Sequence, residues 1–262
     1  MATVCATGPI FTGVPLASPM GVRVGTCGFP EVRARLFRDL DVVEVQQSFY
    51  QPPRAETVAR WRAEAPADFA FSLKVWQLIT HPPSSPTYRR LKRPLTPEER
   101  RLCGGFQLNG LTLEAWRTMV ELAEVARAVA LVCQTPASFR PEAENLARLR
   151  RFFTRVPRGD WKIVFEPRGE AWTPAILRSL LAELDLVHGV DPFLTAPLSR
   201  EWHYFRLHGR PAYHYDYRYT DADLAALRDK LPAGEVMVMF NNVHMAADAR
   251  RFKRLLASGE NA

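Results

Sequence analysis

Short apolar segments and segments of helical periodicity alternate eight times along this chain, and few folds accommodate such a pattern. Ile163–Phe165 and Val236–Phe240 are examples of the apolar segments. Near-continuous apolar runs of this kind are typical of parallel strands that helices cover on both faces. Eight strand–helix units predict the α/β class and a TIM-barrel-like (β/α)₈ closed parallel barrel that forms a single domain.

The predicted strands follow one another at regular intervals. They are Val22–Thr26, Val42–Gln46, Phe69–Lys74, Val129–Gln134, Lys162–Glu166, Leu186–Val190, Trp202–Leu207 and Glu235–Phe240. Helix starts are marked by the Thr-Pro pairs at residues 96–97 and 173–174, and by a capping box over residues 220–223. The sixth unit is the exception, because residues 192–201 are too short and too rich in proline for a full helix.

The chain length suits one barrel, since 262 residues compare with about 250 for a typical barrel of this kind. We expect residues 21–262 to form this single domain, with a proline-rich insertion around residues 81–110. Residues 1–20 lack periodicity and are expected to be a disordered or extended leader. An open doubly wound sheet is the alternative fold, although the Gly25–Gly28 turn lacks the G-x-G-x-x-G pattern of dinucleotide-binding proteins.

Composition excludes several classes of protein. Four scattered cysteines form no C-x-x-C pair, which excludes a cysteine zinc ribbon and gives no sign of a disulfide framework. No apolar run approaches the roughly 20 residues that span a bilayer, so no membrane partner is expected. The first basic residue is Arg23, which argues against a secretory signal, and we expect a cytoplasmic protein. The net charge of +7 fits either a solvated surface or an anionic partner.

Polar residues stand at the carboxyl ends of the predicted strands, where barrel enzymes bind their ligands. Because strand side chains alternate, Glu44 with Gln46, Glu166 with Arg168, and Arg206 with His208 point the same way. The candidate catalytic residues are Glu44, Glu166 and His208. The candidate ligand-binding residues are Gln46, Lys74, His81, Gln134, Arg168, Asp191, Arg206, Asn241 and Asn242.

Three interpretations of this polar set remain open. The two glutamates are either an acid/base pair or, together with Asp191, His81 and His208, ligands for a divalent metal. No H-x-H or H-E-x-x-H spacing supports the metal. The opposite charges would otherwise only neutralise one another as a polar plug above the core. Cys27, at the end of the first strand, is more simply a packing thiol than a nucleophile.

Two basic segments point to a different kind of partner. Residues 210–219 interleave four tyrosines with arginine and histidine, which is typical of a surface on which bases or sugars stack. The basic run over residues 89–93 would reach phosphates. A loop packed over the barrel mouth and a solvated basic face are the simpler explanations of these two segments.

Six motifs resemble, in order, those of the YecE-like family, also called domain of unknown function 72. They are Val43–Tyr50, Phe69–Lys74 with Ile79–His81, Val132–Pro136 with Phe139, Phe165–Arg168 with Trp172, Tyr204–Arg210, and Phe240–Asn242. The resemblance covers roughly residues 22–256. It implies a TIM-barrel-like fold and no activity, and kinship with metal-dependent barrel endonucleases and sugar isomerases is an analogy of fold. Cys27 and Phe29 stand where the family usually has serine and another aromatic residue such as tryptophan.

These observations favour an enzyme that binds a small anionic or sugar-phosphate-like ligand at the barrel mouth. Lys74, Arg168 and Arg206 would hold the anion and His208 would transfer a proton, while Gln134, Asn241 and Asn242 orient the ligand. The alternatives are a nucleic-acid-binding or metal-dependent nuclease-like protein, and a barrel without catalytic activity. The sequence leaves open the substrate, the reaction, the metal and the oligomeric state.

Overall fold

Eight parallel strands close into a barrel in the order in which they follow along the chain. The structure is a computed structural model, and it describes residues 21–259. The strands are β1 Val22–Cys27, β2 Val42–Val45, β3 Ala70–Lys74, β4 Ala130–Gln134, β5 Lys162–Glu166, β6 Val187–Val190, β7 Trp202–Leu207 and β8 Glu235–Phe240. The predicted closed barrel is therefore confirmed, and the open sheet is excluded because β1 pairs with β8 over five residue positions.

Ten α-helices occupy the connections of the described chain. They are α1 Arg33–Asp39, α2 Gln47–Tyr50, α3 Ala55–Glu64, α4 Gln77–Thr80, α5 Pro97–Leu102, α6 Gly110–Ala126, α7 Ala143–Arg155, α8 Pro174–Leu184, α9 Asp221–Arg228 and α10 Met245–Gly259. The described connection between β6 and β7 contains no helix, as its prolines and short length predict. The connection between β3 and β4 is the longest and holds α4, a 3₁₀ turn at Pro86–Arg90 and α5 before α6.

Helix boundaries follow from local capping chemistry. The side chain of Thr96 accepts a hydrogen bond from the Glu99 N–H and completes a capping box, and Asn109 does the same with Thr112 at the start of α6. Thr220 and Asp223 form the third capping box, which was expected from the sequence. These caps satisfy backbone donors that a helix start otherwise leaves unpaired.

Apolar packing divides into two clusters that the barrel wall separates. The smaller cluster fills the barrel interior with side chains such as Val42, Val164, Tyr204 and Met239. The larger one lies between the strands and the surrounding helices and contains large aromatic residues such as Trp116. The interior is therefore solid, as in other eight-stranded barrels, and the charged side chains of the site meet above it, at the carboxyl ends of the strands.

The expected N-terminal leader and the expected lack of a membrane-spanning helix are considered next. The proposed leader, residues 1–20, lies outside the described residues, and so do residues 260–262. Within the described part of the chain, no helix is long and apolar enough to cross a bilayer.

A tight contact between neighbouring strands generates the first testable prediction. A Cβ added to Gly25 of β1 would lie 1.9 Å from the backbone oxygen of Val42 in β2, so the two strands would have to separate. We expect Gly25→Ala to lower the free energy of unfolding by about 3 kcal/mol or more. Denaturant unfolding measures this change.

The matched control is Gly110→Ala in the first turn of α6, where an added Cβ meets no atom within 4 Å. This substitution should leave stability unchanged or raise it slightly, because alanine is the better helix former. Equal losses in both variants would contradict the close strand contact.

Candidate active site

A buried arginine lies between two glutamates at the carboxyl ends of the strands. Arg206 of β7 donates from Nε to Glu44 Oε2 at 2.9 Å and from Nη2 to Glu44 Oε1 at 2.8 Å. Its third group, Nη1, donates to Oε2 of Glu166 in β5. The Arg206 side chain is 1% exposed and that of Glu44 is fully buried. We call Glu44, Arg206 and Glu166 the ion triad.

Two hydroxyl groups beneath the ion triad complete its hydrogen bonding. Tyr204 Oη donates to Glu44 Oε2 at 2.9 Å, and it can then accept from Ser72 Oγ, which lies 2.6 Å away. Sequence reasoning missed Tyr204, although it precedes Arg206 by two positions and the strand alternation places both side chains on the same face. Gln46 also donates to Glu44, in agreement with the expected pairing of these two side chains.

The charges around Glu166 and Arg206 hold these two groups ionised. Burial alone would raise the pKa of Glu166, but the positive charges of Arg206 and Arg168 outweigh it and lower that pKa to about 2. Burial likewise opposes the charge of Arg206, while Glu166 and Glu44 raise its pKa. Glu166 therefore accepts hydrogen bonds as a carboxylate at any pH near neutrality and has no proton to donate.

The thiol of Cys27 lies beside the ion triad, 3.7 Å from Arg206 Nη2. Burial, followed by the negative charge of Glu44, raises the pKa of this thiol above its usual range. A protonated buried thiol is a poor nucleophile, which agrees with the interpretation of Cys27 as a packing residue.

Arg168 links the ion triad to His208. Its Nη2 lies 2.9 Å from Glu166 Oε1 and donates to His208 Nε2 at 3.0 Å. Because arginine can only donate, Nε2 must accept, and a neutral ring carries its proton on Nδ1, which lies 3.8 Å from Asp191 Oδ2. Burial lowers the pKa of His208, which favours this neutral form. Asp191 Oδ2 also accepts from the His208 N–H at 3.2 Å and so positions the histidine.

Lys74, at the end of β3, differs from the two arginines of the site. Its Nζ donates to the neutral Gln134 Oε1 at 2.9 Å and lies 4.1 Å from the centre of the Phe49 ring. Among the described residues it forms no ion pair. Burial, and next the charge of Arg206, lowers the pKa of Lys74 to about 8. The side chain is only 8% exposed, so this cation lacks both full hydration and a carboxylate partner.

Residues 209–219, which we call the tyrosine loop, cover one side of the site. The Arg168 guanidinium lies 4.2 Å from the centre of the Tyr213 ring, and the rings of His208 and Tyr213 are 5.3 Å apart. Tyr217 instead bonds within the protein, because its hydroxyl donates to Asp223 Oδ2 at 2.6 Å. Tyr219 is buried and accepts from the Gly209 N–H at 2.9 Å. The loop packs over the barrel mouth, which was the simpler of the two explanations of its composition.

The remaining predicted residues lie at different depths. His81 is buried, with Nδ1 2.8 Å from Thr80 Oγ1, and burial followed by the charge of Lys74 lowers its pKa to about 3. Asn241 is half-buried at the end of β8. Asn242 is buried and turned away from ligand binding, since its amide donates to the Tyr217 carbonyl and to Asp248 Oδ2, both at 2.8 Å.

The side chains expected to bind a divalent metal do not fit that role. Among residues 21–259, no group of three or more His, Cys, Asp and Glu side chains is placed to hold a metal ion. Arg206 lies between Glu44 and Glu166 and binds both, so the guanidinium fills the position that a metal shared by these carboxylates would need. The expectation that Arg206 holds an anion is corrected for the same reason, since two carboxylates already bind it.

The basic run over residues 89–93 is partly engaged within the protein. The Arg90 guanidinium stacks 3.6 Å from the centre of the Tyr50 ring, and Arg93 pairs with Glu99 at 2.6 Å. These contacts use two of its basic side chains for packing and ion pairing.

Together these features define a TIM barrel whose mouth is lined with charged side chains, among which Lys74 forms no ion pair with any described residue. The class can be narrowed to a family, because residues 33–262 match the model described as "Protein of unknown function DUF72". The chain belongs to this family, which confirms the YecE-like resemblance that the six motifs indicated. A search of the curated proteins finds no match.

Solved structures agree with this assignment. A DUF72 family protein from Enterococcus faecalis V583 shares 23% identity at a TM-score of 0.71 and covers 91% of this chain and 98% of its own. Another from Thermotoga maritima MSB8 shares 20% identity at a TM-score of 0.65, with 90% and 99% covered. D-psicose 3-epimerase, solved in the presence of D-fructose, shares 10% identity at a TM-score of 0.53, with 87% and 92% covered. These likenesses concern the fold alone.

The ion triad predicts an unequal response to removing arginines. Arg206→Met would leave Glu44 and Glu166 buried without their shared partner, and we expect it to cost about 3–5 kcal/mol of unfolding free energy. Arg33→Met is the control, because Arg33 and Glu64 form an exposed pair whose side chains are 41% and 44% exposed. That loss should stay below about 1 kcal/mol. Similar losses in chemical denaturation would disprove the special position of Arg206.

A further prediction concerns the stability of the protein at low pH. Glu166 has a lower pKa folded than unfolded, so its ionised form stabilises the protein above about pH 4.5, and this contribution is lost as the pH falls toward 2. The stability difference between wild type and Glu166→Gln should therefore be constant from pH 7 to about pH 5 and shrink below it. Thermal unfolding at each pH measures this difference.

The control for the acid experiment is Glu170→Gln, which removes an exposed carboxylate four residues further along the chain. Its stability should differ little from that of wild type over the same range. A wild-type advantage over Glu166→Gln that persists unchanged to pH 3 would show that Glu166 is not held ionised by its neighbours.

Proposed function

We propose that the carboxyl end of this barrel is the active site of an enzyme that binds a small anionic, sugar-phosphate-like ligand. The observation that carries this proposal is the state of Lys74, a nearly buried cation that has a neutral amide as its hydrogen-bond acceptor and no carboxylate partner among the described residues. A buried charge without a counterion is costly. An anionic ligand would supply the missing counterion.

Arg168 supports the same location. Its Nε is buried and has no hydrogen-bond partner among the described residues, although two other acceptors bind its Nη2. The charges of Lys74 and Arg168 both lower the pKa of His81, so both act on the same part of the mouth. An anionic group bound there would receive hydrogen bonds from two cations that differ from Arg206 in having donors to spare.

The other side chains then take distinct parts in the proposed reaction. His208 accepts a proton at Nε2 once a ligand draws Arg168 away from that nitrogen, because its neutral ring has only this free lone pair. Glu166 acts as a hydrogen-bond acceptor and not as an acid, since it stays ionised. Gln134 and Asn241 orient the ligand, and Arg206 positions Glu44 and Glu166.

No specific observation favours either alternative, nucleic-acid binding or a barrel without catalytic activity. For nucleic-acid binding, Arg90 and Arg93 are engaged with Tyr50 and Glu99, and Tyr217 serves the loop itself. For a barrel without catalytic activity, the ion triad and Arg168 would together form the expected polar plug, but a plug gives no reason for Lys74, which forms no ion pair among the described residues. The likeness to D-psicose 3-epimerase extends to the fold and supplies no substrate for this chain.

Ligand binding by wild type and Lys74→Met tests the proposal. Inorganic phosphate, D-ribose 5-phosphate and a short DNA duplex are the probes, and calorimetry together with the shift in Tm gives the affinity. We expect the sugar phosphate to bind wild type, with about tenfold or greater loss of affinity in Lys74→Met. Without ligand, Lys74→Met should unfold within about 1 kcal/mol of wild type, since the lost charge had no partner.

Lys230→Met is the matched control, because Lys230 is exposed after α9 and its loss should change neither affinity nor Tm. Equal binding by Lys74→Met would place the ligand elsewhere. No binding of any probe would overturn the proposal, while salt-dependent binding of the DNA alone would favour the nucleic-acid alternative.

A further inference from the structure

We propose that Lys74 is a nucleophilic amine that forms an imine with the carbonyl carbon of a small aldehyde or ketone bearing a carboxylate or phosphate. This inference rests on the proposed function, since it concerns the same mouth and narrows its ligand to anionic carbonyl compounds. Arg168 binds the anionic group, and the Nζ atom of Lys74 meets the carbonyl carbon.

The surroundings of Lys74 are those of a reactive lysine. A lysine becomes nucleophilic when burial and nearby positive charge remove its proton and no carboxylate fixes that proton. Nζ packs on the Phe49 ring at 4.1 Å and donates to a neutral amide oxygen, that of Gln134, at 2.9 Å. An amide oxygen orients the amine without stabilising its charge as a carboxylate would.

The charged groups that face Lys74 come from several strands, and some raise its pKa while others lower it. Arg206 and Arg168 lower its pKa, while Glu44 and Glu166 raise it. Arg206 neutralises much of the effect of the two glutamates, because it is paired with both. Burial then dominates, and the resulting pKa of about 8 makes the free amine accessible near neutral pH.

The other four lysines of the chain provide an internal comparison. Lys92, Lys162 and Lys230 are exposed to solvent. Lys253 pairs with Asp41 Oδ1 at 2.6 Å, so a carboxylate stabilises its protonated form. Lys74 is therefore the lysine of the described chain that combines burial, cationic neighbours and the absence of an ion pair.

The proposed step balances without a further reactant. The Nζ lone pair attacks the carbonyl carbon and forms a C–N bond, while the carbonyl π electrons pass to oxygen, which takes up a proton. The nitrogen passes one of its own protons to this oxygen, which leaves as water with the electrons of the C–O bond, and the nitrogen lone pair forms the C=N bond of the protonated imine. Hydrolysis by the same route returns the amine and the carbonyl compound, so neither an oxidant nor a reductant is needed.

Reductive trapping tests the proposal on the full-length wild-type protein. Glyoxylate, a small anionic aldehyde, is incubated with the protein and cyanoborohydride, and peptide mass spectrometry then measures labelling at each of the five lysines. We expect Lys74 to be labelled at least tenfold faster than Lys253, with a rate that rises up to about pH 8 and then levels off. Glycolaldehyde, which has no charge, should label Lys74 more slowly.

Two variants separate this inference from the proposed function. Lys74→Arg keeps the charge and removes the nucleophile, so it should lose the label at this position, while phosphate binding is measured on the wild-type protein. Arg168→Gln should remove the preference for glyoxylate over glycolaldehyde. Phosphate binding with labelling spread over the exposed lysines would overturn the imine and leave the anion site intact. Absence of both phosphate binding and Lys74 labelling would overturn both proposals, and the mapping on wild type needs no variant to fold.

Discussion

The arrangement of the barrel mouth depends on one buried guanidinium. Arg206 binds Glu44 and Glu166 and so connects β7 with β2 and β5, which are distant from one another around the barrel. Two carboxylates in this position without a cation would either take up protons or destabilise the fold. Arg206 supplies one positive charge for the two carboxylates, and Arg168, which binds Glu166, supplies the second and in turn reaches His208. The hydrogen bonds around His208 thus begin at the ion triad.

The order of elements followed from local rules, and the contacts between side chains did not. Alternating periods and helix caps predicted the closed barrel, and the alternation of strand residues placed Glu44, Glu166 and Arg206 at one end. Arg206 and Glu44 are separated by 162 positions in sequence, so no local pattern shows that they pair. The same alternation pointed to Tyr204, but a tyrosine among apolar residues looks like core until its hydroxyl partner is known.

The sequence pattern also could not predict in which direction a side chain at the end of a strand points. Asn241 and Asn242 directly follow β8, and both were expected to face a ligand. The buried Asp248 of α10 accepts from the Asn242 amide, and this hydrogen bond turns that side chain into the protein. A tertiary contact decided the direction here, as it did for the tyrosine loop, in which Tyr213 faces Arg168 and Tyr217 faces Asp223.

The ion triad also restricts how sequences with this fold can change over time. Replacing Glu44, Arg206 or Glu166 singly by an apolar residue leaves a buried charge imbalance, whereas replacing all three together with Arg168 by well-packed apolar residues need not destabilise the fold. A lineage that changes one position must pass through an unstable intermediate unless the others change with it. We therefore expect substitution at these three positions to be slow, and the geometry that they impose on Arg168 and His208 to persist even where the ligand of the mouth changes.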